Sequence, residues 1–173
     1  MTARDVQRNP ASMKPSDHPE FFRLPPPEGR SRESSIVLDA EGRFWHAGEL
    51  VTHPGMARAF ASWIGRHPDD GRFVLNNGYD WSYFTVEDAP FFVVGVRLME
   101  PVPEIELSDG TREPLDPGAL ATGARGALYT HVKGAAFRAR FTPAAQLALA
   151  PLVAEDEHGR ACLVVGGQRT AIP

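Results

Sequence analysis

The hydrophobic spacing along the chain changes several times, and each change marks an element. Ser35–Leu38 and Arg43–Trp45 are strand-like runs on either side of Asp39-Ala40-Glu41-Gly42, which predicts a hairpin. Beyond Pro54 the spacing lengthens. Met56, Phe60, Trp63 and Ile64 fall at i, i+4, i+7 and i+8, one face of a helix that ends by His67-Pro68-Asp69-Asp70-Gly71. Strand patterning returns at Arg72–Leu75, Trp81–Val86 and the fully apolar Phe91–Leu98, punctuated by Asn76-Asn77-Gly78 and Glu87-Asp88-Ala89-Pro90. Ile105–Leu107 and Thr111-Arg112-Glu113 flank a turn at Ser108-Asp109-Gly110. Residues 115–126 read as loop. Ala127–Val132 and Ala135–Phe141 form a further hairpin, in whose second strand Phe137, Ala139 and Phe141 alternate with Arg138 and Arg140. Thr142-Pro143 is a helix entry, the helix runs through Leu147 and Leu149 and kinks or stops before Pro151, and Cys162–Val165 with Gln168–Ile172 closes the chain as a hairpin.

Two stretches of this text match. GRFVLNNG (71–78) and GRACLVVG (159–166) share Gly-Arg, Leu and Gly in order, and each follows a helix entered through proline, at distances of 17 and 16 residues from Pro54 and Pro143. The reading is an α+β protein with a duplicated strand–turn–strand–helix–strand motif and mainly antiparallel sheets. Its expected organisation is a disordered Pro-rich tail over 1–32, an N-terminal α+β repeat unit over 33–79, and a C-terminal β-rich domain with one short helix over 80–173. Within the tail, Phe21-Phe22 and Leu24 are the residues able to dock on the folded body.

Composition narrows the function classes. A net charge of −4 with acidic and basic residues interspersed gives no basic stripe for phosphate neutralisation, so a nucleic-acid partner is not expected. No apolar run is long enough to span a bilayer and the first residues lack an apolar leader core, so no membrane association is expected and a cytoplasmic location is the default. Cys162 is the only cysteine, which excludes an internal disulfide and leaves it as strand filling.

The candidate chemistry is sparse. His18, His46, His53, His67, His131 and His158 show no metal-ligand spacing, and no metal or cofactor is expected. There is no nucleophile elbow, P-loop or dinucleotide-binding glycine motif. Glu87 and Asp88 are adjacent, and neighbours in an extended chain point to opposite sides, which favours a turn role over paired acid–base work. Trp81 is the aromatic placed to stack on a base or partner; Arg72 and Arg160 are repeat-matched arginines, either salt-bridged or clamping an anion.

Several stretches carry a family resemblance: GRFWHAGE (42–49), FASWI (60–64), VEDAPFFVV (86–94), THVKGAAFRARFTP (130–143) and GRACLVVGGQ (159–168). In this order they resemble the bacterial domain-of-unknown-function family 1285 across about residues 35–172, with a fainter likeness to the eukaryotic uncharacterised family 0598. The family's Thr-Pro-x-Glu-Lys-like stretch before VEDAPF is replaced here by Asn77-Gly78-Tyr79-Asp80-Trp81. The resemblance implies repeated structural motifs and a second half similar to a pleckstrin-homology barrel. It also implies a ligand site where the halves meet, with a nucleotide-like ligand and a signalling role among the expectations.

The expected function is therefore a non-catalytic small-molecule-binding module. Its groove would be lined by Trp45, His46, Arg72, Tyr79, Trp81, Glu87, Asp88, His131 and Lys133. Two other classes stay open: a hydrolase in which Glu87, Asp88 and His131 converge, and an interaction scaffold that takes a partner chain, a homo-oligomer included, on its β-edges.

Overall fold

The computed structural model describes residues 13–173. The first sheet contains β1 (Glu33–Leu38), β2 (Phe44–His46), β3 (Glu49–Leu50), β4 (Ile64–Arg66), β5 (Phe73–Asn76) and β6 (Trp81–Val86), in the order β3-β2-β1-β6-β5-β4. Two antiparallel meanders, β1-β2-β3 and β4-β5-β6, meet at the parallel pair β1–β6. Helix α1 (Pro54–Ser62) carries the chain from one edge to the other.

The second sheet repeats this plan. It is built from β7 (Phe91–Arg97), β8 (Glu104–Leu107), β9 (Arg112–Pro114), β10 (Ala121–Thr122), β11 (Leu128–Val132) and β12 (Phe137–Phe141). Read from β9 the order is β9-β8-β7-β12-β11-β10, the first sheet's order with every label advanced by six, and β7–β12 is again the parallel pair. The two mixed sheets thus share one topology, as a duplication would leave it. Where the first has α1, the second has only a 3-10 turn at Pro117–Ala119. A flat six-stranded sheet is about 24 Å wide, and the few residues between Pro114 and Ala121 cannot span that with a turn among them. The second sheet must curl. It stays open, because β9 and β10 are unpaired edges, so the expected pleckstrin-homology-like barrel is not formed.

The matched octapeptides do not mark this repeat. GRFVLNNG supplies β5 in the first six-stranded sheet, whereas GRACLVVG supplies β14 (Ala161–Val165) in a separate antiparallel sheet with β13 (Val153–Glu155) and β15 (Gln168–Ala171). Likewise α1 is a crossover inside its unit, and α2 (Pro143–Ala148) follows the last strand of its own. Proline-entered helices and Gly-Arg strand starts are local punctuation that different topologies share. The boundary moves too: β6 belongs to the first sheet, so the sheets divide at the link 87–90 and not at residue 79.

Two cores result. The first gathers Leu38, Phe44, Ala61, Leu75 and Phe84 beneath α1. That helix buries Ala57, Phe60 and Ala61, while Met56 is half exposed; the helix stops at Ser62, before the sequence-expected face is complete. The second core is larger, with Val93, Ile105, Leu107, Val132 and Phe141 closed over by Ala145 of α2 and by Leu149, which caps it. Leu115 and Leu120 from the β9–β10 connection enter it, filling the mouth of the curled sheet, and Leu163 joins from β14. Cys162 is buried, as expected of strand filling.

The Pro-rich segment is docked from Met13 to Arg32, contrary to the tail expected there; residues 1–12 of that tail lie outside the described residues. Phe21 is buried against Val74 and Trp81, and Phe22 packs edge-on to His67. Trp81 Nε1 donates to the Phe21 carbonyl at 3.3 Å. Arg23 forks onto Asp69 at 3.2 and 3.0 Å, and Arg32 reaches Asp80 at 2.6 Å while lying 4.3 Å over the Trp81 ring. Leu24, also expected to dock, is half exposed. Composition alone concealed this, because one buried ring, one half-buried ring and two ion pairs offset the ordering entropy of a segment that otherwise has few apolar residues. Trp81→Ala is expected to destabilise the protein by about 3–5 kcal/mol, read as a lowered urea midpoint.

Candidate functional site

The link between the sheets is fixed by bonds that converge on the β1–β2 turn. Asp88, largely buried, accepts from Tyr129 Oη at 2.8 Å and pairs with Arg140 Nη1 at 3.1 Å, with Arg138 Nη1 at 3.8 Å. Arg140 Nη1 also donates to the Ala40 carbonyl at 2.9 Å. Glu87 accepts from the Ala40 amide at 3.2 Å and donates its own amide to Leu38. Gly42, at φ +86°, brings its backbone so near the Phe92 ring that a Cβ there would sit 3.0 Å from it. Asp39 shapes the same turn, accepting from Trp45 Nε1, Arg43 Nε and the Arg43 amide, each at 2.8 Å. Burial pushes the Asp39 carboxyl up, but the bonds from Trp45 and Arg43 prevail and hold its pKa below the ordinary value. Burial and the bond to Asp88 together raise the Tyr129 phenol, which is therefore a donor at neutral pH.

The sequence-expected site residues are distributed over several places. Glu87, Asp88 and Trp45 meet at the junction, but as structural partners of the turn and link. The two carboxylates have separate partners, Glu87 the Ala40 amide and Asp88 the Arg140 guanidinium and the Tyr129 hydroxyl. His46 is exposed at the end of β2. Exposed His131 shares a face of β11 with Tyr129, and among the described residues it makes no hydrogen bond or ion pair to Glu87 or Asp88. Arg72 is bidentate to Glu33 at 2.7 and 2.9 Å and stacks 3.7 Å over Tyr83, and Arg160 bonds Asp156, so each repeat-matched arginine has its own carboxylate. Tyr79 is exposed, and Trp81 is buried beneath the docked N-terminal segment with the Arg32 guanidinium over its ring. Lys133 is bonded to Asp109 at 2.7 Å and to Thr111 at 2.5 Å. Burial raises the Asp109 carboxyl, yet Lys133 and Thr111 outweigh it and leave the pKa lowered. Among the described residues, no cluster of His, Cys, Asp or Glu is arranged to hold a metal.

A groove of about 700 Å³ opens where β12 runs into α2. Arg140 and Phe141 form one side, Pro143, Gln146 and Leu147 of α2 another, and the 3-10 turn Ala124–Gly126 a third. Gln146 ties that turn to the helix, donating Nε2 to the Gly126 carbonyl at 2.9 Å and accepting the Leu128 amide at 3.2 Å. Arg125 stands in the turn at φ +59°, a left-handed conformation that glycine adopts most readily and that Ala47, Lys133 and Ala135 share. It makes no hydrogen bond or ion pair among the described residues. No carboxylate lines the groove. The reading of 115–126 as plain loop missed this site; the available signal was a long cationic side chain set between Gly123 and Gly126.

The sequence matches no family model and no curated protein. A DUF1285 family protein from Silicibacter pomeroyi DSS-3 has a similar crystal structure, with a TM-score of 0.65 at 22% identity over 87% of this chain and 91% of that one. The fold is that of the DUF1285 proteins. A second DUF1285 structure, from Shewanella baltica OS155, gives 0.55 at 19% identity over 70% of this chain and 94% of the other. Within the DUF1285 fold as this chain builds it, VEDAPFF is the sheet-to-sheet link and GRFW makes the turn and strand it grips. These resemblance-bearing residues are accounted for by architecture.

The junction yields two predictions. Asp88→Ala strands Arg140 and Tyr129 and is expected to lower stability by about 1.5–3 kcal/mol in urea unfolding. Asp39 and Asp109, with lowered folded pKa values, stabilise fully above the unfolded carboxylate value of about 3.9 and lose that contribution as pH falls through their folded values. The urea midpoint should therefore decline below about pH 4; Asp109→Asn should lower it at neutral pH and make the acid decline shallower.

Proposed function

We propose that the protein is a non-catalytic module that binds a small anionic molecule in the groove between β12, α2 and the Ala124–Gly126 turn. The observation that carries this reading is the charge of the lining: Arg125 and Arg140 face a cavity without a carboxylate. Arg140 is partly neutralised by Asp88, as Arg23, Arg32, Arg72 and Arg160 are by their own carboxylates, whereas Arg125 has no acidic partner among the described residues. The volume lies in the range of about 300–1,000 Å³ usual for small-molecule sites.

A binding role fits the lining better than catalysis. The groove presents arginine, glutamine, glycine, alanine, proline and apolar side chains, with no hydroxyl, thiol, imidazole or carboxylate to act as nucleophile or general base. Occupancy would be the output, as in a sensor, and the α2–turn contact through Gln146 is the element a ligand would stiffen.

The test is a thermal-shift screen of the full chain against organic carboxylates, phosphates and nucleotides, run beside Arg125→Ala. A ligand at about 100 times its dissociation constant stabilises by about 2.7 kcal/mol, a rise of about 5–10 °C at this size. The expected result is such a rise in the wild type that Arg125→Ala loses. A panel without shifts, or shifts that Arg125→Ala keeps, would refute the site.

A further inference from the structure

We infer that the ligand of this groove is an aliphatic monocarboxylate, an acyl chain ending in one carboxylate; this rests on the reading of the groove as a small-molecule site. The charge available points to a single negative charge. Arg140 already shares its Nη1 between Asp88 and the Ala40 carbonyl, so of the two arginines lining the groove Arg125 is the uncompensated one. Gln146 accepts the Leu128 amide and spends one amide hydrogen on the Gly126 carbonyl, so it has one neutral N–H left and adds no charge. One guanidinium matches one carboxylate in a two-bond fork, whereas a dianionic phosphate would leave charge unmatched.

The rest of the lining selects the tail. Leu147 is 73% exposed and Val153 44% exposed on the rim, with Pro143 and Ala150 between them, a continuous aliphatic wall left in water. No aromatic face is offered to a base. Phe141 is 2% exposed, with its ring committed to the second core, and Trp81 lies under the N-terminal segment. A nucleotide would therefore find neither stacking platform nor matching charge, while an alkyl chain would bury the wall and gain in proportion to the area covered.

The experiment is isothermal titration of the full chain with sodium decanoate below its micellar range, with 1-decanol and adenosine 5′-monophosphate as comparators. The expected result is saturable binding of one decanoate, weakened about 10- to 100-fold by Arg125→Ala and similarly by Leu147→Asp, which alters an exposed side chain only. The alcohol and the nucleotide should not bind. Arg125→Gly should raise the apo melting temperature by about 2–4 °C while losing decanoate, separating ligation from folding. Decanoate binding that persists unchanged in Arg125→Ala or Arg125→Gly would overturn the assignment. Nucleotide binding that depends on Arg125, without decanoate binding, would overturn the ligand class and leave the small-molecule site standing. Absence of every Arg125-dependent ligand would remove both.

Discussion

Each six-stranded sheet depends on one parallel pairing, and that pairing dictates the rest. Antiparallel meanders can be joined by tight turns, but placing β1 beside β6, or β7 beside β12, obliges the chain to leave at one edge and re-enter at the other. The first unit meets this requirement with α1, whose Ala57, Phe60 and Ala61 also roof the core. The second meets it with a short connection, and the sheet must curve to suit. That curvature draws Leu115 and Leu120 inward and leaves the other side of the core to be covered by α2. The position of α2, and hence of the groove beside it, follows from how the second crossover is made.

Local features of this fold were legible in the sequence, and long-range ones were not. Hairpins around Gly42, Gly110 and Gly134, the entries of both helices and the strand Trp81–Val86 all follow from period and punctuation over a few residues. The parallel pairs were invisible, because period 2 says which face a residue takes and nothing about which strand lies beside it. The apparent repeat between 71–78 and 159–166 misled for the same reason: local strand-start signals recur wherever a strand follows a turn. The true repeat is one of strand order.

The candidate site shows the same division. Glu87, Asp88 and Trp45 were recognisable as special, and they are, but what they bind is the protein itself. Polar residues at the meeting of two sheets have backbone groups to satisfy, here the amide and carbonyl of the half-buried Ala40. Trp81 could be singled out by residue type, yet its burial depended on a segment whose composition argued against order. Arg125 carried the opposite signature: an unremarkable residue in a small-residue loop, important because nothing balances it.

The sheet margins carry a further consequence. β3 and β10 are two residues long, and β4 and β9 are three, β9 ending in Pro114, which has no amide hydrogen to offer. Margins this short give an incoming strand almost no ladder to extend, which is how sheets resist stacking into fibrils. The backbone rims of the two six-stranded sheets therefore act as insulation against edge-to-edge pairing.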